Sequence, residues 1–175
     1  MSKCNICNSR KGKRKCKSRD GFICSECCGA IRQPEHCQGC VFYQSSARNY
    51  RQLPRYSKED MSSSPNLQQI AFPVESSLCV FDRESGHTLS DEQAIDIIET
   101  VLDVICFGDS LQDHTDKIER LGFQNVLASI MRKLDKFDKA DAAKVIPTVW
   151  HLAKNRASGG RHHMDFLQAT FGSRL

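Results

Sequence analysis

The residues of this chain with the most distinctive chemistry are eight cysteines near its N-terminus. They form three Cys-x2-Cys pairs with one further cysteine before the second pair and one directly after it: Cys4, Cys7, Cys16, Cys24, Cys27, Cys28, Cys37 and Cys40. A Cys-x2-Cys pair lets one tight turn aim two sulfurs at the same metal ion, and tetrahedral zinc takes four such ligands. Eight thiolates suffice for two closed sites, so the spacing predicts two bound zinc ions.

The spacing is consistent with two divisions of these ligands. In a cross-braced order the sets alternate along the chain, with Cys4, Cys7, Cys24 and Cys27 on one ion and Cys16, Cys28, Cys37 and Cys40 on the other. Adjacent Cys27 and Cys28 favour this order, because neighbouring side chains usually diverge and so serve different metals. In a sequential order the first two pairs hold one ion, and the remaining thiols form a weaker second site. His36 is an alternative to one thiol, since histidine is a standard zinc ligand.

Other cysteine chemistries fit the sequence less well. The N-terminus lacks the apolar core of a signal peptide, so we expect a cytoplasmic protein, whose thiols stay reduced rather than forming disulfides. The ferredoxin run Cys-x2-Cys-x2-Cys-x3-Cys-Pro is absent, which disfavours an iron–sulfur cluster. Thiolate-only ligands make closed, inert zinc sites, and no catalytic motif is visible elsewhere. We therefore expect a structural metal and no enzyme activity.

The thiol pattern resembles the small two-zinc modules of the treble-clef and cross-brace type, such as B-box, HIT-type and MYND fingers. The resemblance covers residues 4–43 only. The chain departs from those families in its adjacent Cys27 and Cys28 and in lacking their characteristic histidine ligands. The segment CSECCGAIR is also similar to the N-terminal segment of uncharacterised bacterial zinc-binding proteins. The resemblance implies a small zinc-stabilised fold and carries no implication about activity.

A dense run of positive charge lies between the first cysteine pair and Cys24. Its seven members are Arg10, Lys11, Lys13, Arg14, Lys15, Lys17 and Arg19. Phosphate is the obvious partner, because Lys and Arg release condensed counterions when they neutralise it. Phe22, Phe42 and Tyr43 offer stacking surfaces for exposed bases. The alternative role is structural, since two four-thiolate zinc sites carry a net negative charge that nearby cations offset.

Two functions from different classes follow. The first is a non-enzymatic adaptor whose zinc module contacts RNA, DNA or a ribonucleoprotein, with weak sequence specificity because no base-reading motif is visible. The helical part would then bind a protein partner or self-associate. The second is a protein–protein interaction zinc finger, with the helical part as a docking or oligomerisation unit. Redox sensing by zinc release is a third, weaker hypothesis, because closed four-thiolate sites are usually inert.

Composition divides the chain into parts of opposite charge. Residues 1–60 carry 13 Lys/Arg against 5 Asp/Glu, whereas residues 61–175 carry 12 against 16. We expect a Cys-rich zinc module over 1–43, a flexible polar linker over 44–70 and a helical domain over 71–175. No apolar stretch reaches the ~18 residues of a membrane span, so we expect no membrane partner. Nothing indicates a small-molecule substrate.

Hydrophobic periodicity predicts a mainly α protein, with an all-α bundle of four or five helices after the linker. The clearest helix starts at Ser90, which forms a capping box with Gln93, and ends at Gly108. Four other helices are expected. The first opens near Pro73, and the second runs through Gly122. The third starts at Asp138, with a kink or restart at Pro147, and the last follows the break at residues 157–160.

Isolated residues in the helical part are expected to be structural. His162 and His163 point about 100° apart on a helix, which predicts surface or helix-end residues rather than a shared metal site. Cys79 and Cys106 lie in apolar runs and are expected to pack as small hydrophobic side chains.

Overall fold

The computed structural model describes residues 3–16, 18–19, 21–31, 34–37, 40, 42 and 48–172. The chain folds as two compact units, residues 1–48 and residues 49–175. Helices dominate and the described strands form a single two-stranded sheet, so the predicted mainly α fold class is confirmed. Among the described residues, no helix is both long enough and apolar enough to cross a membrane.

The first unit is built on a short antiparallel hairpin. Strand β1 (Arg14–Cys16) pairs with strand β2 (Gly21–Ile23), and helices α1 (Ser25–Ala30) and α2 (Pro34–Cys37) follow. The buried residues described in this unit are Cys4, Ile23 and Cys24. So small a core cannot stabilise a fold by hydrophobic burial alone, which means that another source of stability is required.

The second unit is an all-α bundle. Its helices are α3 (Lys58–Ser63), α4 (Pro65–Glu84), α5 (Asp91–Phe107), α6 (Thr115–Leu121), α7 (Gln124–Leu134), α8 (Lys139–Arg156) and α9 (His162–Phe171), with 3-10 turns at Tyr50–Gln52 and Leu111–His114. A single core runs through the bundle and includes Val74, Ile98, Leu127, Ile146 and Leu167. The second unit therefore has the apolar core that the first one lacks.

Helix α5 has the boundaries that its sequence predicts. Ser90 accepts a hydrogen bond from the backbone N–H of Gln93, and the Gln93 side chain accepts from the N–H of Ser90. At the other end Gly108 adopts a left-handed conformation with φ of 76°, which is accessible to glycine at no steric cost.

The predicted polar linker over residues 44–70 is wrong for residues 50–70. Residues 44–47 lie outside the described residues, but the 3-10 turn, α3 and the start of α4 occupy residues 50–70. Ser57 and Asp60 form a capping box for α3, and Ser64 caps α4 with Pro65 at its first position. Two of the serines that suggest a linker, Ser57 and Ser64, instead cap helices.

Two other helix boundaries differ from the prediction. Helix α4 starts at Pro65 rather than near Pro73, so Pro73 lies inside it. The helix predicted to run through Gly122 is two helices, because Gly122 has φ of 71° and ends α6. A left-handed glycine terminates a helix instead of weakening it from within.

Helix α8 passes through Pro147 as one helix, and the bundle supplies a partner for the carbonyl that proline leaves unpaired. Pro147 has no N–H to donate to the carbonyl of Ala143. The thiol of Cys106, on α5, donates to that carbonyl at 3.7 Å. Cys106 therefore does more than pack as a small hydrophobic side chain, whereas Cys79 is fully buried as expected.

Both His162 and His163 lie at the start of α9, in line with the prediction of surface or helix-end residues, but only the first is at the surface. His162 is exposed, whereas His163 is 1% exposed and neither of its ring nitrogens has a hydrogen-bond partner among the described residues. Burial, followed by the charge of Arg156, lowers the pKa of His163 to about 4. The carboxylate of Asp91 accepts the backbone N–H groups of His163 and Met164, which places the start of α9 against α5.

A buried carboxylate connects the two ends of the helical unit. Asp82, at the end of α4, is fully buried and receives both terminal nitrogens of Arg161 at 2.9 and 3.0 Å. It also accepts from Gln168 at 2.9 Å and from the backbone N–H of Leu89 at 3.0 Å. Burial opposes ionisation of Asp82, but these hydrogen bonds together with that of His87 outweigh it and lower the pKa to about 2.

The substitution Asp82→Asn is expected to destabilise the helical unit by about 3 kcal/mol, because breaking a buried ion pair leaves its partner uncompensated. Asp165→Asn is the matched control: Asp165 meets the same arginine at 3.5 Å but is 70% exposed, so its loss should cost less than about 0.5 kcal/mol. Urea denaturation followed by the fluorescence of Trp150, the one tryptophan of the chain, measures both.

The stabilisation by Asp82 is also expected to depend on pH. Because its folded-state pKa is lower than its ordinary value of 3.8, the carboxylate stabilises the fold above that value and progressively less as the pH falls towards about 2. The difference between the wild type and Asp82→Asn should shrink over the same interval. Equal stabilities of the two Asn variants at neutral pH would contradict the role of Asp82.

Candidate metal centre

The first cluster of thiols has the size of a tetrathiolate metal site. The sulfur atoms of Cys4, Cys7, Cys24 and Cys27 all lie within 4.8 Å of one another, and those of Cys7 and Cys24 are 4.0 Å apart. Ligands at the Zn–S distance of about 2.3 Å in a tetrahedral site are about 3.8 Å from each other. The structure thus brings together one of the two predicted ligand sets in an arrangement that can hold a metal ion.

Local backbone structure aims these thiols at one point. The first pair lies on a turn in which the N–H of Asn8 donates to the carbonyl of Cys4 at 2.9 Å. The N–H of Asn5 donates to the carbonyl of Phe22 at 3.0 Å, which ties this turn to β2. Cys24 directly follows β2 and caps α1, so Cys27 lies on the first helical turn. The hairpin and α1 therefore place the second pair against the first.

Backbone donors stabilise the charge of the first cluster. The N–H of Cys24 donates to the sulfur of Cys4 at 3.2 Å, and the N–H of Cys27 donates to the sulfur of Cys24 at 3.4 Å. Hydrogen bonds from the Ser9 side chain and the Arg10 backbone lower the pKa of Cys7 to about 6. Such donors favour thiolates, which are the form that binds metal.

The short distances between the four sulfur atoms oppose complete ionisation of the first cluster. A hydrogen bond with Cys24, followed by burial, raises the pKa of Cys27 to about 12. Four thiolates at these distances repel one another unless a cation lies among them, and a bound metal ion would make all four ionise together. The donor set of soft sulfur ligands fits a thiophilic metal ion.

The four thiols of the second predicted ligand set line one cavity but lie less close together than those of the first cluster. Cys16, Cys28, Cys37 and Cys40 line one cavity of about 20 Å³, a volume that suits a single small occupant. The described residues contain no second group of thiols that all lie within 4.8 Å of one another. His36 is exposed on α2 and does not line this cavity, so it does not replace a thiol there in the structure.

The hairpin separates the basic run into two sets of side chains. Lys11, Lys13 and Lys15 are exposed, as is Phe22, which pairs with Lys15 across the hairpin. The intervening residues Gly12, Arg14 and Cys16 are half-buried. A Cβ atom on Gly12 would lie 2.8 Å from the carbonyl oxygen of Phe22, so only glycine permits this close approach.

The remaining basic residues differ in their surroundings. Arg10 forms an ion pair with Glu26, and a hydrogen bond with Cys24 contributes most to raising its pKa. Arg14 stacks over the ring of Phe42 at 5.3 Å and lines the second cysteine cavity. Arg19 is exposed, and Lys17 lies outside the described residues, as does Tyr43. Arg10 and Arg14 thus accompany the thiols, and the exposed Lys15 also lines the second cysteine cavity.

The helical unit contains a second potential metal-binding group that the sequence analysis does not identify. Ligand atoms of Asp103, Asp109 and His114 lie within 4.8 Å of one another. His114 contacts Asp109 at 2.9 Å, and Asp103 accepts a hydrogen bond from the Tyr50 hydroxyl at 2.9 Å. Because these residues contact one another and Tyr50, we interpret the group as polar packing between α5 and the 3-10 turn that precedes α6.

Replacing one thiol of the first cluster is expected to remove the metal ion of that cluster and to destabilise the residues around it, because the N-terminal unit lacks an apolar core. Cys4→Ser tests this, with Cys106→Ser as the control, since Cys106 lies in the helical unit. Elemental analysis should show one ion fewer per chain for Cys4→Ser alone. Limited proteolysis should cleave its residues 3–31 while the helical unit resists. Unchanged metal content in Cys4→Ser would exclude this site.

Comparisons of the chain with models of known protein families, with curated proteins and with solved structures find no match.

Proposed function

We propose that the N-terminal unit is a non-enzymatic two-zinc module that presents a basic face to RNA or DNA. The observation that carries the proposal is the different exposure of the side chains along the hairpin segment. Its half-buried side chains belong with the thiols, while Lys11, Lys13, Lys15 and Phe22 are exposed. One short element thus combines a metal-binding side with a cationic and aromatic side.

Zinc is the metal that best suits this donor set. Thiolate-only, tetrahedral sites are typical of structural zinc, which has no redox chemistry and imposes no geometric preference of its own. The dimensions of the first cluster support one ion. The single cavity lined by Cys16, Cys28, Cys37 and Cys40 supports a second, bound once those sulfurs close on it. In this division the adjacent Cys27 and Cys28 serve different ions.

Metal binding would supply the folding free energy of the unit. The described buried core is limited to Cys4, Ile23 and Cys24, and structural zinc contributes on the order of 10 kcal/mol to small metal-dependent modules. All of these ligands are thiolates, so each ion would be fully coordinated and closed to substrate. This supports a structural rather than a catalytic role for the metal.

The exposed face has the two features of a surface that binds single-stranded nucleic acid. Lys11, Lys13 and Lys15 are exposed and alternate with the half-buried Gly12, Arg14 and Cys16, so this edge offers three charges to solvent. Phe22 is 44% exposed beside Lys15 and offers a stacking platform for a base. Stacking and phosphate contacts do not read base edges, so the expected binding is weakly sequence-specific.

Binding of the full-length, zinc-loaded chain to a labelled single-stranded oligouridine tests this proposal through its salt dependence. Three phosphate contacts predict a slope of log Kobs against log salt of about −2. The triple variant Lys11→Ala, Lys13→Ala, Lys15→Ala should bring the slope close to zero, and Phe22→Ala should weaken binding about tenfold with little change of slope.

The control is a triple variant of exposed cations in the helical unit, Arg120→Ala, Arg132→Ala and Lys139→Ala, which removes the same net charge. It should leave the slope unchanged. The proposal fails if the wild-type chain does not bind at low salt, or if both triple variants reduce the slope equally. Zinc content measured on each variant separates a lost contact from a lost fold.

A further inference from the structure

The helical unit contains a large open groove that is unrelated to the metal centre. It is bordered by α3, the first half of α4, the end of α7, the second half of α8 and α9, and its volume is about 1150 Å³. Ala71, Pro73 and Val149 are buried beneath it, while Leu152 and Phe171 are half-buried in its walls. The groove is thus a continuous apolar surface that crosses several helices.

Two aromatic rings are held at the edge of this groove in exposed positions. Phe72 is 42% exposed and Phe166 is 41% exposed. Phe72 packs edge-on against Phe171 with ring centroids 5.9 Å apart, and the guanidinium of Arg156 lies 3.8 Å from the ring centroid of Phe166. These contacts position the rings without covering them. Exposed aromatic side chains fixed in this way are typical of the central residues of binding interfaces.

The charges around the groove are opposite in sign to those of the unit as a whole. Residues 49–175 carry 15 Lys/Arg against 18 Asp/Glu. The cationic residues that line the groove are Lys58, Lys133, Lys136 and Arg156. Among the described residues, none of these four has a carboxylate within salt-bridge distance. An acidic unit therefore gathers around an apolar groove four cations that have no carboxylate partner among the described residues.

The one carboxylate among the described lining residues does not cancel this charge. Glu75 is half-buried and has no hydrogen bond or ion pair with the described residues. Burial raises its pKa, against the opposing influence of Arg156. The ammonium group of Lys133 donates a hydrogen bond to the hydroxyl of Ser77 at 3.0 Å, a neutral partner that leaves its charge uncompensated. The field within the groove thus remains positive.

We propose that this groove binds an amphipathic helix of a protein partner, with apolar side chains between Phe72 and Phe166 and flanking acidic side chains paired with the four cations. The volume exceeds the ~300–1,000 Å³ typical of small-molecule sites, and the groove is open along its length, which suits a helix rather than an enclosed ligand. Helices that bind in grooves insert side chains at i, i+3, i+4 and i+7, and acidic residues beside that stripe would match the charge. The inference is independent of the proposed nucleic-acid contact.

The test uses full-length protein and two labelled synthetic peptides of about 16 residues, long enough to form a helix. Both carry leucine at i, i+3, i+4 and i+7 on an alanine background; one has glutamate and the other lysine at the flanking positions. Fluorescence anisotropy should show the acidic peptide binding at least tenfold more tightly than the basic one. Circular dichroism should show that its helicity increases on binding.

Matched variants assign this binding to the groove. Lys58→Glu with Lys136→Glu should weaken the acidic peptide about tenfold, while Arg132→Glu with Lys139→Glu, exposed cations outside the groove, should change the affinity less than twofold. Phe166→Ala should also weaken binding about tenfold. Its control is Phe107→Ala, since Phe107 is equally exposed at 41% but does not line the groove.

Three results would overturn the proposal. The first is equal affinity for the two peptides, or no binding of either at millimolar concentration. The second is an equal effect of the groove variants and their controls. The third is binding of oleate or of anionic phospholipid vesicles, blocked by Phe166→Ala, without binding of either peptide, which would assign the groove to a lipid instead.

Discussion

The mutual repulsion of closely spaced thiols is the constraint on which the N-terminal unit depends. Four sulfurs lie within 4.8 Å of one another, where they cannot all ionise without a cation. The backbone nevertheless supplies N–H donors to two of them, at 3.2 and 3.4 Å. Such an arrangement favours the unit only when a metal ion neutralises it. The two cysteine pairs have to meet at one point, and the hairpin, α1 and the close packing at Gly12 bring them there.

The two units of the chain are stabilised by different physical means. The first has a described buried core of three residues, and we propose that metal coordination stabilises it. The second has a continuous apolar core, and its buried Asp82 joins α4 to Arg161 and Gln168 near the other end of the sequence. Loss of metal should therefore affect the first unit and leave the second folded. The same division appears in their surfaces: the first offers an exposed basic face, and the second a cationic apolar groove.

Features set by short-range chemistry could be predicted from the sequence. The Cys-x2-Cys spacing identifies the first metal cluster, because a turn of four residues determines where both sulfurs point. The capping box of Ser90 and Gln93 and the left-handed Gly108 likewise define α5 through contacts within a few residues. The mainly α fold follows from hydrophobic periodicity. In the cluster of Ser62, Ser63 and Ser64, by contrast, the capping role of Ser64 depends on its position relative to Pro65, which composition alone does not reveal.

Features that depend on residues far apart in the sequence could not be predicted. Asp82 and Arg161 are separated by 79 positions, and the thiol of Cys106 reaches a carbonyl 37 positions away. The burial of His163 follows from the way α9 packs on α5, and the groove exists only where five helices meet. The basic run is an intermediate case. Its charge is visible in the sequence, but which of its side chains accompany the thiols depends on the fold of the hairpin.

Counting zinc in native mass spectra of the full chain shows whether adjacent Cys27 and Cys28 bind different ions. We expect two ions in the wild type and one in Cys27→Ser. We also expect one ion in Cys28→Ser and none in the double variant. A wild type with a single ion, lost in Cys27→Ser but retained in Cys28→Ser, would contradict the two-zinc module and leave only the first cluster.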